Sequence, residues 1–289
     1  MNPYWNIFQN GMVAFRQKRA ILHCAALTYF ALFALIPTLY LILISFGAFF
    51  GEQACLTAIS AFFNDYMGIQ DISVFTSFLD SADIHDSSWA LNGIMIIVLL
   101  YSASSFLTSL KHSLNVFFEV KKERPPRRIK VVLRALRFKL LSFAYLLAMI
   151  FIAFLFYLLE LFLVGVEAMS DGVLSKLFFD ERVVNALLFI LTNGTLITIV
   201  FKWVNEAKIP WKLAIRGALF TSIVLYLFQF AINYYLKTYF FLSNVNLVGV
   251  VFVLMAWVYY SAHILYFGAI ITYFYGIEFN FLQQKKIKE

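Results

Sequence analysis

CAALTYFALFALIPTLYLILISFGAFFG, running from Cys24 to Gly51, contains no charged side chain. A bilayer hydrocarbon core about 30 Å thick is crossed by roughly 20 apolar residues at ~1.5 Å rise per residue, so this stretch can span it. Five comparable uncharged runs follow, at 87–110, 140–159, 183–201, 217–236 and about 247–277. Hydrophobic residues make up 62% of the 289, charged ones 13%, and the mean hydropathy is +0.81, too few polar groups to cover a surface in water. The expected fold is all-α. Residues 1–289 read as a single integral membrane domain, a polytopic bundle of six transmembrane helices with short amphipathic helices on both faces.

Charge placement orients the bundle. The N-terminus (Arg16, Lys18, Arg19), the segment Lys111 to Lys139, the loop Lys202 to Arg216 and the tail Lys285 to Lys288 together carry 20 of the 23 basic residues. The positive-inside rule places these segments and both termini in the cytoplasm, as an even number of spans requires. The loop between the first two runs carries Glu52, Asp65, Asp71, Asp80, Asp83 and Asp86 without one basic residue. A net charge of +7 is therefore first a topology signal. Tyr4, Trp5, Trp89, Trp203, Trp211, Tyr273 and Tyr275 fall near run ends, where an aromatic belt belongs. Cys24 and Cys55 sit near opposite ends of the first run, about 40 Å apart along a helix, too far to pair within one chain. That run is also far longer than the ~7 to 15 apolar residues of a cleaved signal core, so a permanent anchor is expected.

Residues 1–20 place Trp5, Phe8, Met12 and Phe15 at helical spacing, the pattern of an amphipathic helix in the cytoplasmic interface. Pro37, central in the first run, denies the Phe33 carbonyl its hydrogen bond. It is a candidate hinge, with a static packing kink as the alternative. Gly47 and Gly51 form a GxxxG pair that permits close helix approach. In the outer loop, Leu56, Ile59, Phe62, Phe63 and Tyr66, then Phe75, Phe78 and Leu79, suggest two short amphipathic helices. On the inner side the second span is expected to continue as a helix to about Glu119. Pro125-Pro126 then turns the chain, and a basic helix follows in which Arg127, Arg128, Lys130 and Arg134 are candidate contacts for lipid headgroups.

Polar groups inside the membrane are costly and therefore mark function. Ser222, Tyr226, Gln229 and Asn233 recur along one face of the fifth span. Ser102, Ser105 and Ser109 do so in the second, Thr192, Asn193 and Thr195 flank Gly194 in the fourth, and His263 lies amid Tyr259, Tyr260 and Tyr266 in the sixth. Ser102, Ser105, Asn193, Tyr226, Gln229, Asn233 and His263 are thus candidates to line a polar cavity. Interhelical hydrogen bonding, typically ~0.6 kcal/mol each, is the structural alternative. No catalytic, cofactor or metal site is expected, because the four histidines (His23, His85, His112, His263) are dispersed over different elements and the acids lie mostly outside.

Four ordered segments carry a family resemblance: AALTYFALFALIPTLYLILISFGAFFG (Ala25 to Gly51), SASSFLTSLKHSLNVFFEV (Ser102 to Val120), IPWKLAIRGALFTSIV (Ile209 to Val224) and LVGVVFVLMAWVYYSAHILYFGAIITYFYG (Leu247 to Gly276). Together they resemble the BrkB/YihY family, whose members have often been labelled ribonuclease BN. The resemblance implies a bacterial inner-membrane protein with six spans and both ends inside. Where family members commonly carry an acid after the Gly-Ala of the last span, this chain has Ile270 after Gly268 and Ala269. Where an acid often stands early in the fifth span, it reads Leu225-Tyr226. An intramembrane carboxylate mechanism is therefore not expected here. The function expected is transport or export of a lipid or other amphipathic molecule. The alternatives are a non-catalytic scaffold for envelope assembly and, more distantly, the ribonuclease of the old label. Membrane lipids are the expected partners, nucleic acid is not, and a homo-oligomer is compatible with the chain.

Overall fold

The computed structural model describes residues 3–67, 89–120, 181–239, 247–279 and 281–282, with 145, 148–149, 151–156, 158–159 and 162 between them. Among these residues the regular structure is entirely helical. In order it comprises α1 (Pro3–Gln17), α2 (Ala20–Phe50), α3 (Glu52–Met67), α4 (Trp89–Phe117), α5 (Glu181–Ile199), which passes into a π-helical turn at Val200–Val204, α6 (Trp211–Tyr239) and α7 (Leu247–Glu278). Val183–Val204, Trp211–Ile232 and Val251–Glu278 are each long and apolar enough to cross a membrane, and α1 with the first half of α2 makes a fourth if that bent pair is one span. Between α4 and α5, residues 151–156 are helical, and Phe151, Leu155, Leu158, Leu159 and Phe162 are exposed along one stripe.

α1 and α2 meet at 68°. Arg19 turns the chain there in the left-handed region (φ 49°), which non-glycine residues seldom adopt. α1 is seated against the C-terminal half of α7 through Ile7, Gly11 and Ala14, with the Phe8 and Phe15 rings on Phe267. The expected apolar face is the adjacent one: Trp5, Phe8 and Met12 stay exposed, while Gln9, Asn10 and Arg16 occupy the polar arc. The protein face and the exposed apolar face thus adjoin, with Phe8 at their border.

α2 runs as one helix through Pro37, whose ring lies outside the described side chains. The Thr38 hydroxyl donates to the Ala34 carbonyl at 2.5 Å, the kind of local side-chain bond that lets a spanning helix carry a proline. Gly51 does not mediate helix approach, because a Cβ there would meet nothing within 4 Å. It ends α2 instead: its φ of 87° suits glycine, and its N–H closes on the Gly47 carbonyl at 2.9 Å. α3 follows at once and accounts for the first helix expected in the outer loop. The second, around Phe75 to Leu79, lies outside the described residues.

α6 starts two turns earlier than its uncharged run, because Pro210 opens the helix and its carbonyl accepts from Leu213 and Ala214. Lys212 and Arg216 therefore lie on the helix itself, on the same side as the exposed stripe Leu219, Ile223, Leu227, Phe230 and Tyr234. The opposite face packs on α7 along an antiparallel ladder in which Leu213 meets Gly276, Gly217 meets Thr272 and Thr221 meets Gly268. Small residues let the two backbones approach, as helices in lipid require.

The dense core gathers the ends of α2, α4, α5, α6 and α7 that carry the basic segments. Ala20, Cys24, Leu114, Phe117, Phe201, Ile209, Leu213, Tyr266 and Ile270 are all buried there. Among the described residues, 16–20, 111–120 and 202–216, which charge counting assigns to one side of the membrane, therefore converge at one end of the bundle.

Candidate functional site

The intramembrane hydroxyls turn back on their own helices. Ser102 donates to the Val98 carbonyl, Ser105 to Tyr101, Thr192 to Leu188 and Thr195 to Leu191, each at 2.8 Å, and the Asn193 amide donates to Phe189 at 3.0 Å. This i−4 bonding neutralises a donor in apolar surroundings without needing a neighbour, and it leaves the hydroxyl lone pairs free to accept. The His263 Nδ1 lies 2.8 Å from the Tyr259 carbonyl, so that nitrogen carries the proton.

The candidates fall into separate interfaces. The Phe189 ring, one turn before Asn193, lies 5.6 Å from Tyr226, and Gly194 faces Ser222, so Asn193, Ser222 and Tyr226 share the α5–α6 seam. Gln229 continues the Tyr226 side, half-buried, and the Asn233 side chain lies outside those described. His263 is packed between Tyr259 at 4.3 Å and Phe15 of α1 at 5.8 Å, on the α7–α1 seam. Ser102 is buried and Ser105 half-buried on α4. Arg127, Arg128, Lys130 and Arg134 lie outside the described residues.

A second polar cluster, at the basic end of the bundle, was not visible as a motif. Lys18, just past α1, pairs with Glu119 at 2.9 Å, donates to the Phe117 carbonyl at 3.2 Å and lies 5.2 Å over the Tyr273 ring. The Tyr273 hydroxyl donates to the other Glu119 oxygen at 2.6 Å. Burial alone would raise the Glu119 carboxyl, but the hydrogen bonds from Tyr273 and Lys18, with the Lys18 charge, outweigh it and hold the group below its ordinary value. The three partners stand 101 and 154 residues from one another along the chain, so no local pattern announces them. Beside them Lys111 pairs with Glu206 at 2.7 Å, and the Asn115 side chain accepts the Glu206 N–H at 2.9 Å. Both ion pairs are partly exposed and worth up to ~1 kcal/mol apiece, so they fix register more than stability.

His23 and His112 approach to 6.0 Å between ring centres, and His23 Nδ1 meets the Ser113 hydroxyl at 2.9 Å. Among the described residues no group of three or more His, Cys, Asp or Glu side chains is placed to hold a metal.

Long apolar helices, a basic end that closes as one packed core and a lipid-facing stripe define a helical membrane protein. The chain belongs to the virulence factor BrkB family, whose family model matches residues 12–288. No curated protein and no solved structure matches it. At the position where family members were expected to carry an acid, Ile270 is fully buried in the core with Ala269 and Tyr266.

Proposed function

We propose that this protein moves a lipid or other amphipathic molecule across or out of the inner membrane of a bacterium, as a six-span bundle with both termini in the cytoplasm. The observation that carries this reading is the α5–α6 seam, where Asn193, Ser222, Tyr226 and the half-buried Gln229 place polar groups on facing helices inside apolar surroundings. An uncharged polar seam suits an amphiphile better than a small ion, which needs a ring of charges or carbonyls to replace its hydration. Catalysis forms no part of the proposal, and the partners are membrane lipids, with no role for nucleic acid. The basic segments meet headgroups and set topology.

The test is reconstitution into vesicles with an assay of lipid scrambling or efflux. Gln229→Leu with Asn233→Leu should reduce transport at least tenfold, while the purified variant keeps its helicity and melting temperature. Wild-type movement no faster than empty vesicles would sink the proposal. The back-bonded hydroxyls favour a second reading, a scaffold for envelope assembly, since they leave few donors for a cargo. On that reading the double variant retains its cellular phenotype.

A further inference from the structure

We propose that the corner between α5 and α6 holds the headgroup of an anionic phospholipid, with its chains along the exposed stripe of α6. This site is independent of the transport seam and lies on the outside of the bundle. Residues 200–216 carry four cations, Lys202, Lys208, Lys212 and Arg216, against one acid, Glu206. That acid is already committed to Lys111 at 2.7 Å, so the corner presents uncompensated positive charge where the chain leaves the bilayer.

The π-helical turn Val200–Val204 and the left-handed Lys208 (φ 50°) shape the corner. π-Turns inserted into α-helices frequently accompany functional positions because they re-aim side chains. Here the turn lets Lys202 donate to the Ile209 carbonyl at 2.5 Å and lie 5.5 Å over the Trp211 ring, bracing the loop. Trp203 and Trp211 meet edge to face at 5.6 Å, and both are about half exposed. Indole rings in that position belong at the headgroup level. Arg216 is held by the Tyr275 hydroxyl at 3.1 Å and lies over the Phe281 ring. Lys208 and Lys212 have no partner among the described residues and remain to meet a phosphate. Directly beyond Lys212 and Arg216 the same helix face continues as Leu219, Ile223, Leu227 and Phe230, all exposed. Cations, an aromatic ledge and an acyl-length apolar stripe follow one another in the order of an anionic phospholipid.

The probe is tryptophan quenching in a variant whose other tryptophans, Trp5, Trp89 and Trp257, are replaced by Phe. Phosphatidylcholine nanodiscs carry either brominated phosphatidylglycerol or brominated phosphatidylcholine at equal mole fraction. Stronger quenching by the glycerol lipid is expected. Lys208→Gln with Lys212→Gln should weaken that preference by about fivefold per lysine, and the two arginine replacements should keep it. Circular dichroism reports folding, and Lys212→Gln alone gives the same direction with a milder change. Equal quenching by both lipids, or a preference untouched by the glutamines, overturns the proposal. Loss of the preference to inorganic phosphate, beyond chloride at the same ionic strength, assigns the site to a free anion and overturns it as well.

Discussion

Gly217→Val should unfold or aggregate the purified protein, and Gly268→Val should do the same. At both positions the added Cβ would overlap a threonine of the opposing helix: at Gly217 the Thr272 Cβ itself lies 2.8 Å away, and at Gly268 the Thr221 Cβ lies 2.9 Å away. Neither threonine can swing clear, because its hydroxyl bonds the glycine carbonyl one turn earlier on its own helix, Thr272 to Gly268 at 2.6 Å and Thr221 to Gly217 at 2.7 Å. Separating α6 from α7 would open the core from Leu213 to Ile270, a cost on the order of 3 kcal/mol or more. The Thr272 hydroxyl oxygen and methyl would lie closer still, at 2.0 and 2.6 Å, so Thr272→Ala should rescue Gly217→Ala in part and Thr272→Gly more fully. Gly93→Ala is the control: a Cβ there meets nothing within 4 Å, and a helix prefers alanine by up to ~1 kcal/mol. Melting temperature and elution profile in detergent give the readout. Equal stability of Gly217→Val and wild type would refute the ladder.

Phe117→Ala should be the most damaging single truncation at the basic end. Its ring is fully buried between His23 of α2 at 5.3 Å and Tyr266 of α7 at 5.0 Å, so its loss leaves a cavity where three helices join, worth about 3 to 5 kcal/mol. Phe230→Ala removes the same ring from a position 68% exposed on α6. Lipid tails are as apolar as the ring they replace, so that change should cost well under 1 kcal/mol. Thermal unfolding of the two variants side by side decides the point. Comparable losses would mean that the exposed stripe is buried in protein and not in lipid.

What the sequence disclosed follows from what is local. Uncharged runs locate helices because a bilayer penalises charge residue by residue, and the termini of α4 and α5 fall within a turn or two of the run ends. α6 was misjudged at its start because Lys212 and Arg216 were read as loop, while Pro210 had already begun a helix whose first turns can carry cations at an interface. At Pro37 the helix runs on, and the Thr38 hydroxyl supplies local bonding to the Ala34 carbonyl beside it. The face of α1 that binds protein was illegible because Gly11 and Ala14 offer little hydrophobicity. Gly11 is there for size, since a Cβ would come within 2.6 Å of the Ile271 side chain. Of the candidate site, the α5–α6 part was readable as a polar stripe. That the Thr192, Asn193 and Ser222 donors would bond within their own helices was not, because rotamers decide it. The Lys18–Glu119–Tyr273 cluster depends wholly on tertiary approach.

The central claim is that a bilayer is the solvent of this fold, with its basic end in the cytoplasm and α3 on the other side. Cys55 is buried, so its own thiol is a poor reporter. The measurement is labelling of intact spheroplasts with a membrane-impermeant maleimide, using Gln53→Cys and Lys212→Cys, each in a chain whose two native cysteines are replaced. Both positions are exposed, on α3 and at the start of α6. Gln53→Cys should label in intact cells, and Lys212→Cys only after lysis. The reverse pattern, or labelling of both without lysis, would contradict the account.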